Sequence, residues 1–525
     1  MAQAQSPAGS GNNSFTLLLL AIVVVIAFFI IIRVSDNLVR IQAGKSGLDG
    51  EDAGLSALPG ARDVFRSKKP AFVKGMYVAL KQGHDILLEG KAEGPVVAGT
   101  ANTFAVQPPN FRGMSPIPKV EVEVGNSVKA GDHLFYDKKN PAVKYVSPVS
   151  GEVIAVNRGE RRSIANVVIL ADKQQQYRSL PSINPDTCSR EELVNFLLDT
   201  GGWTFLRQRP FDVVASTTDV PDNIFISTFD TAPLAPDLNL VMQGKGAAFQ
   251  RGLDVLRKLT SGKVWLGLNA NGANASSPNF TEAKGAGKCW FSGKHPAGNV
   301  GVQIHHIAPI TTKSTVWTLN VQDVATIGAL FTEGRFNAER VVALTGAELK
   351  HPKYVRTFIG ANVGELLDGN LSNDHIRIIS GDVLSGSKTS GESYLNYFDD
   401  QITVVEEGDQ LEMFGWLLPD LSTPSVSKAI PAALFPDTVF KANTNMRGEK
   451  RAFVVTGQYE ELLPMDIYPQ HLMKAILTND YEKMEGLGIH ELIEEDVALC
   501  EFACTSKQPL QQILREGLDM VHEQG

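Results

Sequence analysis

Apolar and polar positions follow several different periods along this chain. Residues Phe15 to Ile32 read FTLLLLAIVVVIAFFIII, 18 positions without a charge. At 1.5 Å per residue they span about 27 Å, close to the hydrocarbon thickness of a bilayer. A helix that is apolar on every face suits lipid better than a soluble core. The pattern predicts a transmembrane helix over 15–33, preceded by a tail over 1–14. That tail holds no Lys or Arg, and the run ends in Arg33-Val34-Ser35-Asp36 without an Ala-x-Ala pattern. A cleaved signal peptide needs both features, so the helix reads as an uncleaved anchor. Arg33, Arg40 and Lys45 follow the span. They put the N-terminus in the periplasm and the bulk on the cytoplasmic side of the inner (plasma) membrane, as a single-pass protein.

Residues 34–72 are rich in Gly and mixed charges and read as a flexible linker. Over 73–175 the period shortens to short strands between turn residues. Val122, Val124, Val128 and Leu134 point inward, and Gly125 and Gly131 suit turns with positive φ. Ser147 to Val153 repeats the turn-then-strand order. Together these resemble the barrel-sandwich fold of biotinyl and lipoyl carriers. Over 176–334 helices and buried strands alternate. Ser189 with Glu192 forms a capping box, Asn223–Thr228 and Lys263–Leu268 read as strands, and Gln250–Leu259 presents a helical apolar face. This predicts a Rossmann-like α/β domain. Strands return over 335–420, in Arg340–Leu344, Ile376–Ile379 and Ile402–Val405. The segment 421–525 turns helical, with apolar periodicity in His471–Leu477 and Glu494–Cys504. The expected class is therefore an α+β multi-domain protein.

Composition narrows the function. Among 525 residues, 49 basic side chains face 58 acidic ones, for a formal charge of −9. No long basic stripe offsets this, which argues against nucleic acid as a partner. Four cysteines, Cys188, Cys289, Cys500 and Cys504, are too few for a disulfide framework and fit a reducing compartment.

The motifs carry little chemistry. Gly244-Lys245-Gly246-Ala247-Ala248-Phe249 lacks the last glycine of a dinucleotide loop. Gly285-Ala286-Gly287-Lys288-Cys289 has Glu282 where a phosphate loop needs its leading glycine, and Cys289 where Mg²⁺ needs a hydroxyl. Cys500 and Cys504 share a helix face but cannot complete a four-ligand iron–sulfur set, so they read as buried apolar residues. His305 and His306 are adjacent, would face opposite sides of a strand, and have no partner at metal spacing. No metal site is expected. Lys138 lies near the hairpin that bears the cofactor in carriers. Its spacing to Ser147 is longer than the lipoyl pattern, and it reads as a solvated lysine. No catalytic pair stands out. Lys294 and His295, with His305 and His306, are the candidate quinone or interface residues, because they offer hydrogen-bond donors.

Several collinear stretches carry a resemblance. They include Gly202-Trp203-Thr204, Arg209-Pro210-Phe211, Phe229 to Ala235, His295-Pro296-Ala297-Gly298 and Gln322 to Gly328. Glu339 to Leu344, Ile379 to Gly386, Met465 to Pro469 and Glu495 to Cys500 continue it. Over about 74–525 the chain is similar to the NqrA family, the large soluble subunits of Na⁺-translocating NADH:quinone oxidoreductases (Na⁺-NQR). The resemblance implies that the α/β domain is related to the flavin subunit of complex I and that 335–420 is a ubiquitin-like (SLBB-like) β-grasp domain. It implies a chain that binds no cofactor itself and is not catalytic alone. NADH, FAD, FMN, riboflavin, iron–sulfur and ubiquinone would be handled through other subunits. It implies five partner subunits, mainly the membrane-embedded NqrB, a possible ubiquinone contact, and Na⁺ export. Family members begin near Val73-Lys74-Gly75 without an anchor, so residues 1–70 are an addition. The competing readings are an electron-transfer subunit like RnfC of the Rnf complex, a carrier modified on Lys138, and a scaffold reused in another membrane complex. A colourless protein excludes the first, and an unmodified Lys138 the second.

Overall fold

The computed structural model describes residues 69–272, 275–410, 423–426 and 437–524, with Leu20, Val23, Val24 and Phe28. The expected tail over 1–14 and linker over 34–68 lie outside the described residues. So does the expected span over 15–33, apart from those four residues, which are helical and exposed. Among the described residues no helix is long and apolar enough to cross a membrane. The chain divides at Lys69, and everything below belongs to the unit Pro70–Gly525.

Two small sheets build the barrel. One orders Thr103–Val106, Ile164–Ala171, Gly151–Arg158 and Ser127–Val128. The other orders Lys119–Val120, His133–Asp137 and Asn140–Val146. Val128, Leu134, Val149 and Val153 fill the space between them. Val124, expected to point inward, is exposed, because it lies outside any strand at the Gly125 turn.

The α/β layer is a seven-stranded sheet. Its order is Met76–Ala79, Gly287–Ser292, Lys263–Asn269, Asn223–Ser227, Val316–Thr318, Arg207–Arg209 and Val213–Val214. The first five strands are parallel, and the last two form an antiparallel edge. Ser189 and Glu192 close the expected capping box at the start of helix Arg190–Thr200. Helix Gly246–Leu259 buries Phe249, Leu253, Leu256 and Leu259. It packs against helix Val321–Thr332 through two glycines: a Cβ on Gly252 would stand 2.0 Å from the Val324 carbonyl oxygen, and one on Gly328 would stand 1.8 Å from that of Ala248.

The third sheet orders Ser387–Thr389, Ile376–Ser380, Gln401–Glu406, Glu339–Thr345, Lys353–Phe358 and Glu93–Ala98. An antiparallel hairpin, Glu339–Thr345 with Lys353–Phe358, leads into the short helix Val363–Leu367. Gln401–Glu406 then returns parallel to the first hairpin strand. This is the β-grasp arrangement. Helices Pro469–Leu477, Tyr481–Gly486, Glu494–Ala503 and Leu510–Gln524 close the chain around a core of their own, which includes Leu472, Ile476, Leu514 and Leu518.

The segment 73–175 is not one piece of the fold. Met76–Ala79 pairs with Gly287–Ser292 in the α/β sheet, and Glu93–Ala98 forms the edge of the β-grasp sheet. The barrel starts at Thr103. The stretch before it lends its strands to the two sheets it crosses.

Candidate functional site

Open α/β sheets bind ligands outside the carboxyl ends of their strands, where strand order reverses. The reversal here falls at Asn223–Ser227. From it the chain moves to Lys263–Asn269 and Gly287–Ser292 on one side, then returns to Val316–Thr318 on the other. The helix that follows, Val321–Thr332, offers its N-terminus, an ordinary seat for phosphate.

The β-grasp domain occupies that seat. Asn320 caps the helix by accepting the Gln322 N–H at 3.1 Å, and its amide donates to Asp400 at 2.6 Å. Gln322 exchanges two 3.0 Å hydrogen bonds with the backbone of Val341. Arg340, buried, donates to Asp323 at 2.7 Å. What remains of the crevice is a cleft of about 40 Å³, lined by Asp230, Ala232, His295, Asn299, Asp382, Leu384, Ser385, Glu495 and Ala498. A water needs about 10–15 Å³ measured this way, so a few waters or the tip of a side chain fit. A nucleotide or a flavin ring does not.

Three modules supply these residues. Asp230 and Ala232 follow strand Asn223–Ser227, and His295 and Asn299 follow Gly287–Ser292. Asp382 and Ser385 come from the β-grasp loop, and Glu495 from the first turn of Glu494–Ala503. His295 is 4% exposed. Its backbone N–H donates to Asp85 at 2.8 Å, and its Nδ1 meets the Thr231 hydroxyl at 3.2 Å. Among the described residues its Nε2 has no partner. Burial lowers its pKa to about 4, so the ring is neutral. Asp230 opens its own surface to the cleft, yet protein surrounds the cleft. Burial raises its carboxyl to about 6, the Ala232 N–H pulls back, and Asp382 adds to the rise. Glu495 keeps 37% of its side chain open, yet the protein around the cleft desolvates its carboxyl and raises it to about 7, against the pull of Arg209.

Of the four residues singled out by sequence, His295 alone lines this cleft; Lys294 beside it is exposed. His305 and His306 lie on helix Val300–Ile307, not on a strand, because the crossover from Gly287–Ser292 back to Val316–Thr318 is helical. His305 Nε2 accepts the Asp466 N–H at 3.0 Å, so Nδ1 carries the proton and donates to Glu491 at 2.7 Å. His306 donates to the Pro464 carbonyl at 2.8 Å. Both tie the α/β layer to the C-terminal helices. No cluster of three metal-ligating side chains occurs among the described residues. Gly285–Cys289 runs into a strand rather than a helix, which a phosphate loop cannot do. Lys138 and Lys139 form the exposed turn of hairpin His133–Asp137/Asn140–Val146. Cys500 is buried, and Cys504 accepts the Tyr459 hydroxyl at 2.8 Å. Asp230, Asp382 and Glu495 were not singled out as site residues by sequence. An acidic residue just past a buried strand was the available signal for Asp230.

Family models match the three modules in chain order, the first reaching upstream of the barrel over Glu93–Ala98. A family model described as the NqrA N-terminal barrel-sandwich hybrid domain matches residues 78–172. The NqrA second alpha/beta domain matches 188–336, and the NQRA C-terminal domain matches 341–391. The A subunit of the Na(+)-translocating NADH-quinone reductase of Saccharophagus degradans is 40% identical over 452 residues, covering 85% of this chain and 100% of its own. The chain belongs to the NqrA family of Na⁺-translocating NADH-quinone reductases. The NqrA of Alcanivorax borkumensis is 38% identical over 453 residues, again 85% of this chain and 100% of the relative. The expected membership of this family is therefore met, with the barrel-sandwich, α/β and C-terminal modules in family order. A solved NAD⁺-reducing NiFe hydrogenase in the air-oxidized state superposes over 66% of this chain and 67% of its own, at 11% identity and a TM-score of 0.32. That likeness is too loose to argue from.

Proposed function

We propose that this chain is a cofactor-free subunit of a Na⁺-pumping NADH:quinone oxidoreductase. In this reading it docks from the cytoplasmic side on the membrane subunits, mainly NqrB. It contributes to ubiquinone reduction coupled to Na⁺ export, and flavins and iron–sulfur centres belong to other subunits. The observation that carries the reading is the family match along the whole length of relatives named as the A subunit of that reductase. The crevice supports it from the chemical side, since a space of about 40 Å³ leaves no room for a flavin or a nucleotide there. Residues 15–33 would add a single-pass anchor to the docked chain. Lys294 and His295 remain the quinone or interface candidates: one is exposed, and the other faces the cleft beside it.

The test is gentle detergent extraction of native membranes and affinity isolation of this chain. Recovery of five partner subunits with Na⁺-stimulated NADH:quinone activity supports the reading. Recovery of the chain with unrelated proteins and no such activity overturns it.

A further inference from the structure

The cleft is rich in acceptors and poor in donors. Asp230, Asp382 and Glu495 converge on it from three modules, and no Lys or Arg lines it. The nearest cation by contact, Arg209, is already committed to Glu495 at 2.7 Å and Asp496 at 3.0 Å. Asp230 accepts the Ala232 N–H at 2.8 Å and a second backbone hydrogen bond from Thr231, and it still lines the cleft with exposed surface. Asp382 accepts the N–H groups of Leu384 and Ser385 and the Ser385 hydroxyl, so Ser385 presents lone pairs rather than a donor. His295 supplies the independent sign of a ligand. It is 4% exposed, lines the cleft, and among the described residues leaves Nε2 unmatched. A buried imidazole nitrogen without a partner costs on the order of 1–3 kcal/mol. The Thr231 hydroxyl accepts the Gly298 N–H at 2.9 Å and has a second lone pair for Nδ1–H. With the proton on Nδ1 and donated to Thr231, Nε2 is an acceptor beside the three carboxylates.

We infer that this cleft is a socket for a lysine side chain of a partner subunit, its ammonium seated among Asp230, Asp382, Glu495 and His295. An ammonium is compact and carries three donors pointing in different directions. That suits carboxylates arriving from three separate modules better than the planar fork of a guanidinium does. The volume, about 40 Å³, matches a chain terminus and not a ring. The inference rests on the proposed membership of a multi-subunit complex, which supplies a partner to provide the lysine. Its consequence is that docking would pin the α/β, β-grasp and helical modules together at one point.

The experiment is zero-length carbodiimide crosslinking of the isolated native complex, which joins a carboxylate to an ammonium only when they touch. The expected result is an isopeptide between Asp230, Asp382 or Glu495 and a lysine of another subunit. The yield should fall at least tenfold in the complex carrying Asp230→Asn and Asp382→Asn. Asparagine keeps the carbonyl oxygen that accepts the local N–H groups, and the unfolding midpoint of each variant verifies that it folds. A crosslink from these residues only to lysines of the same chain overturns the inference. So does their recovery unlinked while other intersubunit crosslinks form. Failure to isolate partner subunits at all is a different result and falls on the proposed function.

Discussion

The Arg209 guanidinium stands 3.0 Å from Asp496, and each residue is about 1% exposed. This pair joins the antiparallel edge of the α/β sheet to the first turn of helix Glu494–Ala503. Around it Asp212 is held by Arg207 and by Arg112 of the barrel, and Glu494 by Arg112 at 2.8 Å and Arg515 at 3.0 Å. One ionic knot therefore spans the barrel, the sheet and the helical end.

Removing one member of a buried pair strands the other charge, at a cost of about 3–5 kcal/mol. Arg209→Ala should lower the stability of the full chain by that order, and the thermal midpoint should fall by several degrees. An unchanged midpoint would mean that the other arginines of the knot already compensate Asp496.

The glycine contact between helices Gly246–Leu259 and Val321–Thr332 makes a second prediction. The new methyl of Gly252→Ala or Gly328→Ala meets backbone, which cannot rotate away. Overpacking of this kind costs about 1–3 kcal/mol or more. Gly334, where a Cβ meets nothing within 4 Å, has a positive φ of 64°. Gly486 meets nothing either and carries no such strain, so Gly486→Ala serves as the control whose melting temperature should hardly move.

How far the sequence reveals this arrangement depends on the range of the signal. The Ser189–Glu192 capping box and strand Lys263–Asn269 are local patterns and are legible. The pairing of Met76 with Cys289 is not, because parallel pairing leaves no mark on either short segment alone. His305 and His306 mislead for a related reason. Val-Gly-Val-Gln-Ile favours a strand by propensity, and the crossover geometry makes it a helix. The cleft is least legible of all. Asp230, Asp382 and Glu495 are separated by more than a hundred residues at each step, and their meeting depends on how three modules pack.

Raised carboxyl pKa values make a prediction in pH. Glu495 lies near 7 when folded against an ordinary 4.5, so between those values the folded chain holds a proton that the unfolded chain releases. Stability from this group is full at low pH and is lost as pH rises through about 7. Asp230 acts in the same sense up to about 6. Glu407 acts oppositely but in a separate window. Arg377 holds it down to about 2, so its contribution fades only below its usual 4.5. His295, lowered to about 4, opposes Glu495 and Asp230 in an overlapping window, so the readout is the difference between chains: from pH 5 to 8 the melting temperature of the parent should fall relative to that of Glu495→Gln. Parallel curves would show that Glu495 is ionised throughout.

The histidine pair separates a structural role from a quinone role. His305 bridges Glu491 and the Asp466 N–H, with both ring nitrogens used. His305→Ala leaves a partly buried carboxylate and a backbone donor without their partner, at a cost of about 1–3 kcal/mol. The local signature is faster amide hydrogen exchange around 464–467 and 489–493, with the barrel unchanged. Lys294 is exposed, so Lys294→Ala should leave the melting temperature within about 0.5 kcal/mol equivalent of the parent. If Lys294 and not His305 serves the quinone, the lysine variant raises the ubiquinone KM of the assembled complex at unchanged stability. The His305 variant then alters exchange and leaves KM alone. A KM effect confined to His305→Ala would move the quinone contact to the seam between helix Val300–Ile307 and the C-terminal helices.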